Sequence, residues 1–597
     1  MKFKAIFCIF LCVILLAGCT DDPVSGSDPT LSPGENGPAQ TLIEDPSTLF
    51  TDRDLAGTYD KAGAATIRFS EDSVSCSGGG VTVSGTNVTI TAAGTYILEG
   101  SCSDGTVAVY AAKDDKVQLV LNGITLGSET GAAIHVLQAD KVFVTLADGS
   151  ENALSNGGTF ENADGSNVDA AIFSKEDLTM NGAGSLTVTS PGGHGIVSKD
   201  ELTIAGGIYH ITSASHGMTG KDNICISSAN MTIASGKDGI HAENGEDATL
   251  GFVYIQDGTF TIDAQGDGIS ASYFLQIDGG TYTVTTGGGS ENGEDHTSSG
   301  WGDMPGGGGN RPGGRPGGRS ATETNAEDSA SIKGLKAATA VAINNGIFTL
   351  DCADDAVHSN GSISVAGGSF TIETGDDGFH ADESLAVSGG TVVITESYEG
   401  LEGLYIAISG GNISVISTDD GINAAGGTDE SGFGGNRGDQ FGGGFGGMMG
   451  GGASNGSLAI SGGNVMIHAG GDGMDINGSL AIAGGSITIH GPTTGDTSVL
   501  DYDTTATITG GTFIGTGAMM MAQTFSSAEN QGVISVSIRG NVAAGTKITL
   551  TDEKGNVVME VIPDQSFAIV ILSSPEVRKG ETYTVTIGTS SGTFEAE

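Results

Sequence analysis

The sequence is poor in basic and aromatic residues. Only 23 Lys and Arg stand against 72 Asp and Glu, which gives a formal net charge of −49 at pH 7. This deficit excludes recognition of nucleic acid through its phosphates, because phosphate contacts require Lys and Arg. It favours cations, or an anionic polymer held through cations, as partners. With one Trp, 11 Tyr and 21 Phe in 597 residues, binding platforms built on aromatic stacking are also disfavoured.

Cysteine is scarce, and helical periodicity is nearly absent. No Cys-x-x-Cys or mixed Cys/His spacing indicates a zinc site. Cys225 and Cys352 lie in strand-like runs and are predicted to be buried. Cys76 and Cys102 remain open as either a disulfide or two thiols. Glycine is abundant, at 102 residues, but follows no Gly-X-Y period, which excludes collagen.

A repeated phrase is the main positive feature of the chain. It consists of a glycine pair, a β-branched run, an acidic pair, then glycine, an apolar residue and His or Asn. The turn glycines and acids of four successive copies are Gly346, Gly368, Gly390 and Gly411, and Asp355, Asp377, Glu399 and Asp420. Both series are spaced by 22, 22 and 21 residues. A fixed period of this length predicts a stacked architecture.

Each copy contains three strand-like pieces. In one copy, they are Ser369–Ile372 after the glycine pair, Gly378–Ala381 after the acids, and Ser384–Val387 before the next glycine pair. Three short strands in about 22 residues predict an all-β fold, a right-handed parallel β-helix whose equivalent strands pair at about 4.8 Å. Ile, Val, Leu and Phe are expected inside.

The sequence predicts four successive segments. Residues 1–18 are a lipoprotein signal peptide, 19–51 a flexible tether, 52–524 the parallel β-helix and 525–597 a small C-terminal β-sandwich-like cap. A cap is expected because an exposed last rung is an open sheet edge. Two glycine-rich inserts, at about 287–328 and 426–455, are predicted to be mobile loops.

The N-terminus predicts export and lipid anchoring. Lys2 and Lys4 precede the apolar run Ala5–Leu16, which is short for a membrane span. The run ends Leu16-Ala17-Gly18-Cys19, which resembles a bacterial lipobox and implies lipid attachment at Cys19. An ordinary signal peptide with a chance cysteine is the alternative. We therefore expect an extracytoplasmic protein, lipid-anchored to the cell membrane at the cell surface.

The stacked acids predict a cation site. Equivalent carboxylates about 4.8 Å apart repel by about 0.9 kcal/mol in water and by about 3.5 kcal/mol at an effective dielectric constant of 20. A hard cation relieves this repulsion best, and oxygen-rich sites suit Ca2+ better than zinc. The predicted calcium ligands are Asp354, Asp355, Asp376, Asp377, Asp382, Glu399, Asp419, Asp420, Asp472, Asp475 and Asp501. Glu399, where the pair becomes Tyr398-Glu399, is the predicted weak point of the ladder. Turn formation alone is the competing explanation.

Basic and imidazole side chains accompany the acids. His241, His358 and His380 each follow an Asp by three residues and are interpreted as outward-facing polar residues. Lys333 and Lys336 are interpreted either as partners of nearby acids or, for Lys336, as a catalytic base.

Several segments together resemble a known family. They are Leu121-Asn122-Gly123, Leu146–Asn152, Ala171–Lys175, Lys333–Lys336, Ser397–Glu402, Asp472–Asp475 and Ser573–Pro575. The sequence resembles the carbohydrate-binding, calcium-carrying β-helix proteins first described from a cellulolytic clostridium, which have a polysaccharide-lyase-like fold and bind cellulose and polygalacturonate. This resemblance implies binding of extracellular polysaccharide of plant cell-wall or uronate-containing type, with calcium in the acidic turns.

Three functions remain open from the sequence. The first is a surface-anchored polysaccharide-binding module. The second is a calcium-dependent pectate lyase, in which calcium on the substrate carboxylate acidifies the C5 proton and Lys336 is the base. The third is a non-catalytic adhesin or envelope structural protein. The glycan itself is not identified by the sequence.

Overall fold

The computed structural model describes residues 42–161, 167–293, 331–425, 456–493 and 497–597. These residues all belong to one unit, Pro38–Glu597. The predicted signal peptide, Cys19 and nearly all of both glycine-rich inserts lie outside the described residues. None of the helices in the described ranges has the length and hydropathy to span a membrane.

Strands dominate the structure. The helical elements are a 3-10 helix (Pro46–Leu49), α1 (Asp52–Ala56) and a second 3-10 turn (Ser290–Asn292). The strands of the N-terminal third are β1 (Ala65–Ser70), β2 (Ser73–Ser77), β3 (Val81–Ser84), β4 (Asn87–Ile90), β5 (Gly94–Cys102), β6 (Val107–Tyr110), β7 (Lys116–Ser128), β8 (Ile134–Gln138), β9 (Lys141–Leu146), β10 (Glu151–Asn156), β11 (Ala170–Ser174), β12 (Asp177–Gly182), β13 (Ser185–Ser190), β14 (His194–Ser198), β15 (Leu202–Ser213) and β16 (Met218–Gly220).

The strands of the central part are β17 (Asn223–Ser235), β18 (Ile240–Ala242), β19 (Phe252–Ile255), β20 (Thr259–Ala264), β21 (Ile269–Ala271), β22 (Phe274–Ile277), β23 (Thr281–Thr286), β24 (Leu335–Ala337), β25 (Ala340–Ile343), β26 (Ile347–Cys352), β27 (Val357–Ser359), β28 (Ser362–Val365), β29 (Ser369–Thr374), β30 (Phe379–Val387), β31 (Thr391–Glu396), β32 (Leu401–Ile408), β33 (Asn412–Ser417) and β34 (Ile422–Ala424).

The remaining strands are β35 (Gly456–Ile460), β36 (Asn464–Ala469), β37 (Met474–Ile476), β38 (Gly478–Ile482), β39 (Ser486–His490), β40 (Asp501–Tyr502), β41 (Thr505–Ile508), β42 (Thr512–Gly517), β43 (Ser527–Ala528), β44 (Gly532–Val542), β45 (Ile548–Thr551), β46 (Val557–Val561), β47 (Phe567–Ser574), β48 (Thr582–Ile587) and β49 (Ser590–Glu595).

Parallel pairing between equivalent strands organises the fold. Across the described ranges, 45 strands join one sheet, and from β5 to β42 the pairing between repeats is parallel. Phe348 pairs with Phe370, and Phe370 with Val392, each 22 residues further along the chain. Tyr282 pairs with Phe348 because the segment 294–330 falls between them. The prediction of an all-β fold built from parallel strands is confirmed.

The core follows from the two-residue period of each strand. In β29, alternate residues are exposed and buried, so Phe370 and Ile372 point inward. Aromatic rings stack along one core column, with centroid separations of 4.7 Å between Tyr282 and Phe348 and 4.5 Å between Phe348 and Phe370. The turn before β29 requires Gly368, whose φ of 98° is unfavourable for residues with a Cβ atom.

The N-terminal segment packs against the sheet. The backbone N–H groups of Leu42 and Ile43 donate to Gln276 Oε1 at 2.9 and 2.7 Å, and the Phe50 ring lies 6.2 Å from that of Tyr254. Helix α1 begins with a capping box at Thr51. Residues 42–51, which we expected to belong to a flexible tether, therefore make defined contacts.

The C-terminal residues add a second, antiparallel sheet. Strands β46, β45, β48 and β49 form this four-stranded sheet in that order. Strands β44 and β47 instead join the large sheet, because β47 pairs antiparallel with both β42 and β44. The two sheets share a hydrophobic cluster that contains Leu550, Leu572 and Tyr583.

The four cysteines in the described residues are free. Cys225 and Cys352 are buried, as predicted. Cys76 is exposed and Cys102 is buried, and they form no disulfide.

Candidate metal centre

Two adjacent columns of polar residues run along the short strands that follow the acidic turns. We call them the first and second columns, and together the polar track. The residue that follows each member of the first column in the chain donates its backbone N–H to the carbonyl of the next member, so the members lie side by side. The first column consists of His194, His216, Asp238, Asp267, Lys333, Asp355, Asp377, Glu399, Asp420 and Asp472. The second column consists of Thr219, His241, Ser270, Lys336, His358, His380, Glu402, Asn423, Asp475 and Asp501, which are register partners in that order.

Most acids of the first column also bind the backbone of the next repeat. Asp355 Oδ1 accepts the backbone N–H of Asp377 at 3.1 Å, and Asp377 Oδ1 accepts that of Glu399 at 3.2 Å. Asp420 Oδ1 accepts the N–H of Asp472 in the same way. One oxygen of each of these three carboxylates therefore accepts a backbone hydrogen bond from the acidic turn of the next repeat. In Asp355 and Asp377, the second oxygen contacts a histidine of the second column.

Lys333 neutralises the first acidic pair. Its Nζ lies 3.0 Å from Asp354 Oδ1 and 2.7 Å from Asp355 Oδ2, and all three side chains are buried. Burial acts to raise the pKa of Asp355, but Lys333 and His358 outweigh it and hold that pKa well below its usual range. Burial and Asp355 raise the pKa of Asp354 to about 6. Lys333 is thus a partner of the acids, as expected for it.

His358 and His380 lie on the outer face of their strands, opposite the core residues Val357 and Phe379, as interpreted, but neighbouring side chains bury them. They are 2% and 3% exposed, and their rings stack 5.1 Å apart. His358 Nδ1 lies 2.8 Å from Asp355 Oδ2. Burial, followed by the charge of Lys333, lowers the pKa of His358 to about 3. The alternation of the short strands turns these imidazoles toward the acids three residues earlier.

His380 joins three carboxylates. It lies 3.1 Å from Asp377 Oδ2 through Nδ1 and 3.3 Å from Asp382 Oδ1 through Nε2, and it also pairs with Glu402. Burial acts to lower its pKa, but Glu402 and Asp377 outweigh burial and raise it well above the usual value. Protonated His380 therefore compensates much of the negative charge in its repeat.

Beyond His380 the track contains mainly carboxylates. We call Glu399, Glu402, Asp420, Asn423, Asp472, Asp475 and Asp501 the carboxylate end. Within the described ranges, no Lys, Arg or His forms an ion pair with Asp420, Asp472 or Asp475, whereas Glu402 pairs with His380.

The pKa values at the carboxylate end are raised. Burial, followed by Glu402 and Asp377, raises the pKa of Glu399 well above its usual value. Burial and the adjacent Asp419 do the same for Asp420. The pKa of Asp472 is raised to about 7, chiefly by burial, and that of Asp475 to about 6 by burial and Asp501. Without a cation, these groups are held partly protonated.

Unused oxygen atoms point into the carboxylate end. Glu399 Oε2 and Asn423 Oδ1 are buried without a hydrogen-bond partner. Ligand atoms of Asp377, Glu399 and Glu402 lie within 4.8 Å of one another. A Cβ atom at Gly471 would lie 2.2 Å from Asp419 Oδ1, so the glycine leaves room for that carboxylate. An all-oxygen donor set with unsatisfied oxygens fits a hard cation.

The predicted ligands fall into three groups. Asp354, Asp355 and Asp376 have ligand atoms within 4.8 Å of one another, beside Lys333. Asp377 and Asp382 surround His380. The remaining predicted ligands, Glu399, Asp419, Asp420, Asp472, Asp475 and Asp501, belong to or adjoin the carboxylate end. Glu402 was not among the predicted ligands, although it stands three residues after Glu399 as His380 stands after Asp377.

Lys336, the alternative catalytic base, is tied to its surroundings. Its Nζ donates to Ser331 Oγ at 2.7 Å and lies 3.6 Å from Asp267 Oδ2, and its side chain is 27% exposed.

Comparison with known proteins identifies the family. Residues 84–378 match the model of a family described as carbohydrate-binding domain-containing protein. This part of the chain belongs to that family. The match confirms the resemblance at the level of the family, and it includes Lys333, Asp355 and Asp377 but ends before Glu399.

Two relatives can be described. A carbohydrate-binding domain-containing protein from Acetivibrio thermocellus is 35% identical over 146 residues, which are 24% of this chain and 51% of the relative. The chain therefore spans about half the length of that relative. A solved structure, titled as the polysaccharide lyase-like protein from C. thermocellum in a gadolinium derivative, is 34% identical, covers 38% of this chain and 92% of its own, and has a TM-score of 0.37.

Proposed function

We propose that this protein binds polysaccharide outside the cell and holds calcium at the carboxylate end of its polar track. The observation that carries the calcium assignment is the uncompensated group around Glu399, Asp420 and Asp472, where buried carboxylates meet without a basic partner among the described residues. The carbohydrate assignment rests on the family of residues 84–378.

Calcium is the favoured cation for physical reasons. Carboxylates one repeat apart repel by up to about 3.5 kcal/mol at an effective dielectric constant of 20, and a divalent ion between them reverses the sign of that energy. Glu399, Asp420, Asp472 and Asp475 supply only oxygen ligands, which Ca2+ accepts in flexible arrangements of six to eight. A bound ion would favour the ionised form of each carboxylate and stiffen the repeats that supply it. It also offers a bridge to uronate carboxylates of the glycan.

Affinity electrophoresis tests the proposal. The purified protein is run in gels that contain polygalacturonate or soluble cellulose derivatives, with calcium or with chelator. We expect retardation by at least one glycan with calcium, and reduced retardation with chelator. The double variant Asp472→Asn/Asp475→Asn should lose the calcium dependence. Asp263→Asn, which removes an exposed carboxylate from the outer face of β20, is the matched control and should behave as the wild type.

Two outcomes would overturn the proposal. One is absence of retardation by every glycan tested, which would favour the adhesin or envelope role. The other is retardation that is identical with calcium and with chelator, which would leave glycan binding but remove calcium from it.

The lyase alternative has a separate assay. Incubation with polygalacturonate and calcium is followed by the absorbance of unsaturated products. Because Asp267 and Ser331 hold the Lys336 amine, we expect no such product. Product formation that Lys336→Ala abolishes would establish the lyase.

Two finer features belong to the same proposal. We infer that the large sheet winds as a right-handed parallel β-helix with about 22 residues per rung, which the 22-residue offset of its parallel partners supports. We also infer a lipid anchor at Cys19, whose test is metabolic labelling with a fatty acid in the wild type and in Cys19→Ser.

A further inference from the structure

The N-terminal end of the polar track is rich in imidazole rather than carboxylate. We call His194, His216, Asp238 and His241, with the adjoining Asp169, the histidine end. The rings of His194 and His216 stack 5.1 Å apart, and those of His216 and His241 stack 4.5 Å apart. The side chains of His216 and His241 are 15% and 22% exposed, so solvent ions reach them.

The Asp238 carboxylate lies between two imidazole nitrogens. Its Oδ1 accepts the backbone N–H of Asp267 at 2.9 Å. Its Oδ2 lies 3.3 Å from His216 Nδ1 and 2.8 Å from His241 Nδ1. His216 Nδ1 also accepts the backbone N–H of Asp238 at 3.2 Å, so this nitrogen carries a lone pair. A nitrogen that accepts a hydrogen bond thus lies 3.3 Å from a carboxylate oxygen, an arrangement that a cation stabilises.

Other polar atoms at this end have no partner. Thr219 Oγ1, His194 Nδ1 and Asp169 Oδ1 are all buried without a hydrogen bond. Thr219 is 3% exposed and is the register partner of His241, so its hydroxyl belongs to the same column. Buried polar atoms are normally satisfied by protein, water or ligand. Three such atoms among the residues that adjoin His216 and His241 support a bound ion with its water at this end.

The same sequence unit elsewhere in the chain provides a comparison. Asp355 and His358 repeat the Asp-x-x-His spacing of Asp238 and His241, with the same 2.8 Å separation. There Lys333 supplies the positive charge at 2.7 Å and solvent is excluded. At Asp238 the described residues include no lysine or arginine in an ion pair, and a second imidazole occupies the neighbouring position. The Asp-x-x-His unit at Asp355 is therefore part of a buried ion pair, whereas the unit at Asp238 offers ligand atoms that solvent can reach.

We propose that His216, Asp238 and His241 bind a divalent transition-metal ion of the zinc class, at a site separate from the carboxylate end. Their ligand atoms lie within 4.8 Å of one another. Two imidazoles and one carboxylate suit zinc, copper or nickel rather than calcium. Three protein ligands leave a position for water or for a further ligand.

Cobalt titration tests this site. The chain is prepared without a histidine tag, stripped with chelator and titrated with Co2+, whose visible absorption reports nitrogen and oxygen ligation. We expect one equivalent to bind, Zn2+ to displace it, and a 100-fold excess of Ca2+ to leave it bound. His216→Gln and His241→Gln should each weaken binding by at least about 10-fold.

Three controls keep the outcome specific. His210→Gln, at an exposed position of β15, and His468→Gln, which alters the separate contact of His468 with Asp564, should bind cobalt as the wild type does. Asp472→Asn/Asp475→Asn should also bind cobalt normally, which separates this site from the calcium proposal. Melting in metal-free buffer identifies variants that fail to fold. If His216→Gln does not melt cooperatively, the cobalt affinity of His241→Gln is used to judge the proposal.

The proposal is overturned if the wild type gives no cobalt spectrum. It is equally overturned if a folded His216→Gln/His241→Gln variant binds cobalt like the wild type, or if His468→Gln removes the binding.

Discussion

Acids of the first column such as Asp355 use their two carboxylate oxygens differently. In Asp355, Oδ1 accepts a backbone N–H from the next repeat, while Oδ2 binds Lys333 and His358. From the sequence, turn formation and cation binding were competing explanations of the acidic pairs. At Asp355 one oxygen accepts the backbone hydrogen bond of the turn, and the other contacts the positive charge of Lys333. The two explanations therefore do not compete at this residue.

Residue spacing predicted which acids align, but not which cation neutralises them. Lys333 lies in the first column because Gly334 N–H donates to the Asp355 carbonyl, a register that follows an insert of unpredictable length. The burial of His358 and His380 was missed because carboxylates of their own and neighbouring repeats cover them, which the pattern of a single strand does not show.

Removal of the Lys333 charge is predicted to destabilise the protein strongly. Lys333→Gln leaves Asp354 and Asp355 buried without their cation, which costs about 3–5 kcal/mol in the free energy of unfolding. Lys116→Gln is the control, and because Lys116 and its partner Asp140 are both 45% exposed, loss of that pair should cost under about 1 kcal/mol. Denaturant unfolding measures both values. Equal losses would contradict the assignment of Lys333 as the structural cation.

At the scale of elements, the outer and inner faces of each strand were predictable and the ends of the sheet were not. The β-branched run of β29 alternates as expected, with Phe370 buried. The antiparallel hairpins β1–β2 and β3–β4, and the pairing of β47 with β42, follow no repeat. Such end structures depend on tertiary packing, which a period in the sequence does not encode.

The stacked aromatic column is predicted to be a major source of stability. Phe370 is 1% exposed and its ring lies 4.5 Å from that of Phe348. Phe370→Ala should therefore cost about 3–5 kcal/mol through lost burial and the cavity that remains. Ile347→Ala, on the outer face at 57% exposure, should cost under about 1 kcal/mol. Urea unfolding measures the free energy of unfolding of both variants. A small decrease for Phe370→Ala would contradict this prediction and would show that neighbouring repeats collapse into the cavity.

At the scale of the whole molecule, the polar track changes character along its length. It begins with imidazoles at His216 and His241, passes through the ion pair of Lys333, and ends in uncompensated carboxylates such as Asp472. The net charge of −49 predicted cation binding but gave no position. The position of the cation site becomes clear only when the repeats are aligned in space. The alignment shows which acids have a basic partner, because basic residues are distributed unevenly among the repeats.

The raised pKa values in the polar track predict how the stability of the metal-free protein depends on pH. Groups whose pKa is raised by folding stabilise the protein below their unfolded pKa, and that stability is lost as the pH rises through the folded pKa. Asp472, with a pKa of about 7, and Glu399, Asp420 and His380, with pKa values raised well above their usual ones, all act in this direction. His358, lowered to about 3, acts only below about pH 6.5. In chelator, the melting temperature should therefore fall from pH 6.5 to pH 8.5. A rise over this interval would contradict the assignment.

Calcium titration of the chelator-treated protein at pH 8 tests the central claim most directly. Calorimetry and melting are followed in the wild type and in Asp472→Asn/Asp475→Asn, with Asp263→Asn as the control. The account predicts saturable calcium binding that raises the melting temperature of the wild type and of the control, and a weakened response in the double variant. Absence of binding to the wild type, or an undiminished response in the double variant, would contradict a calcium site at the carboxylate end.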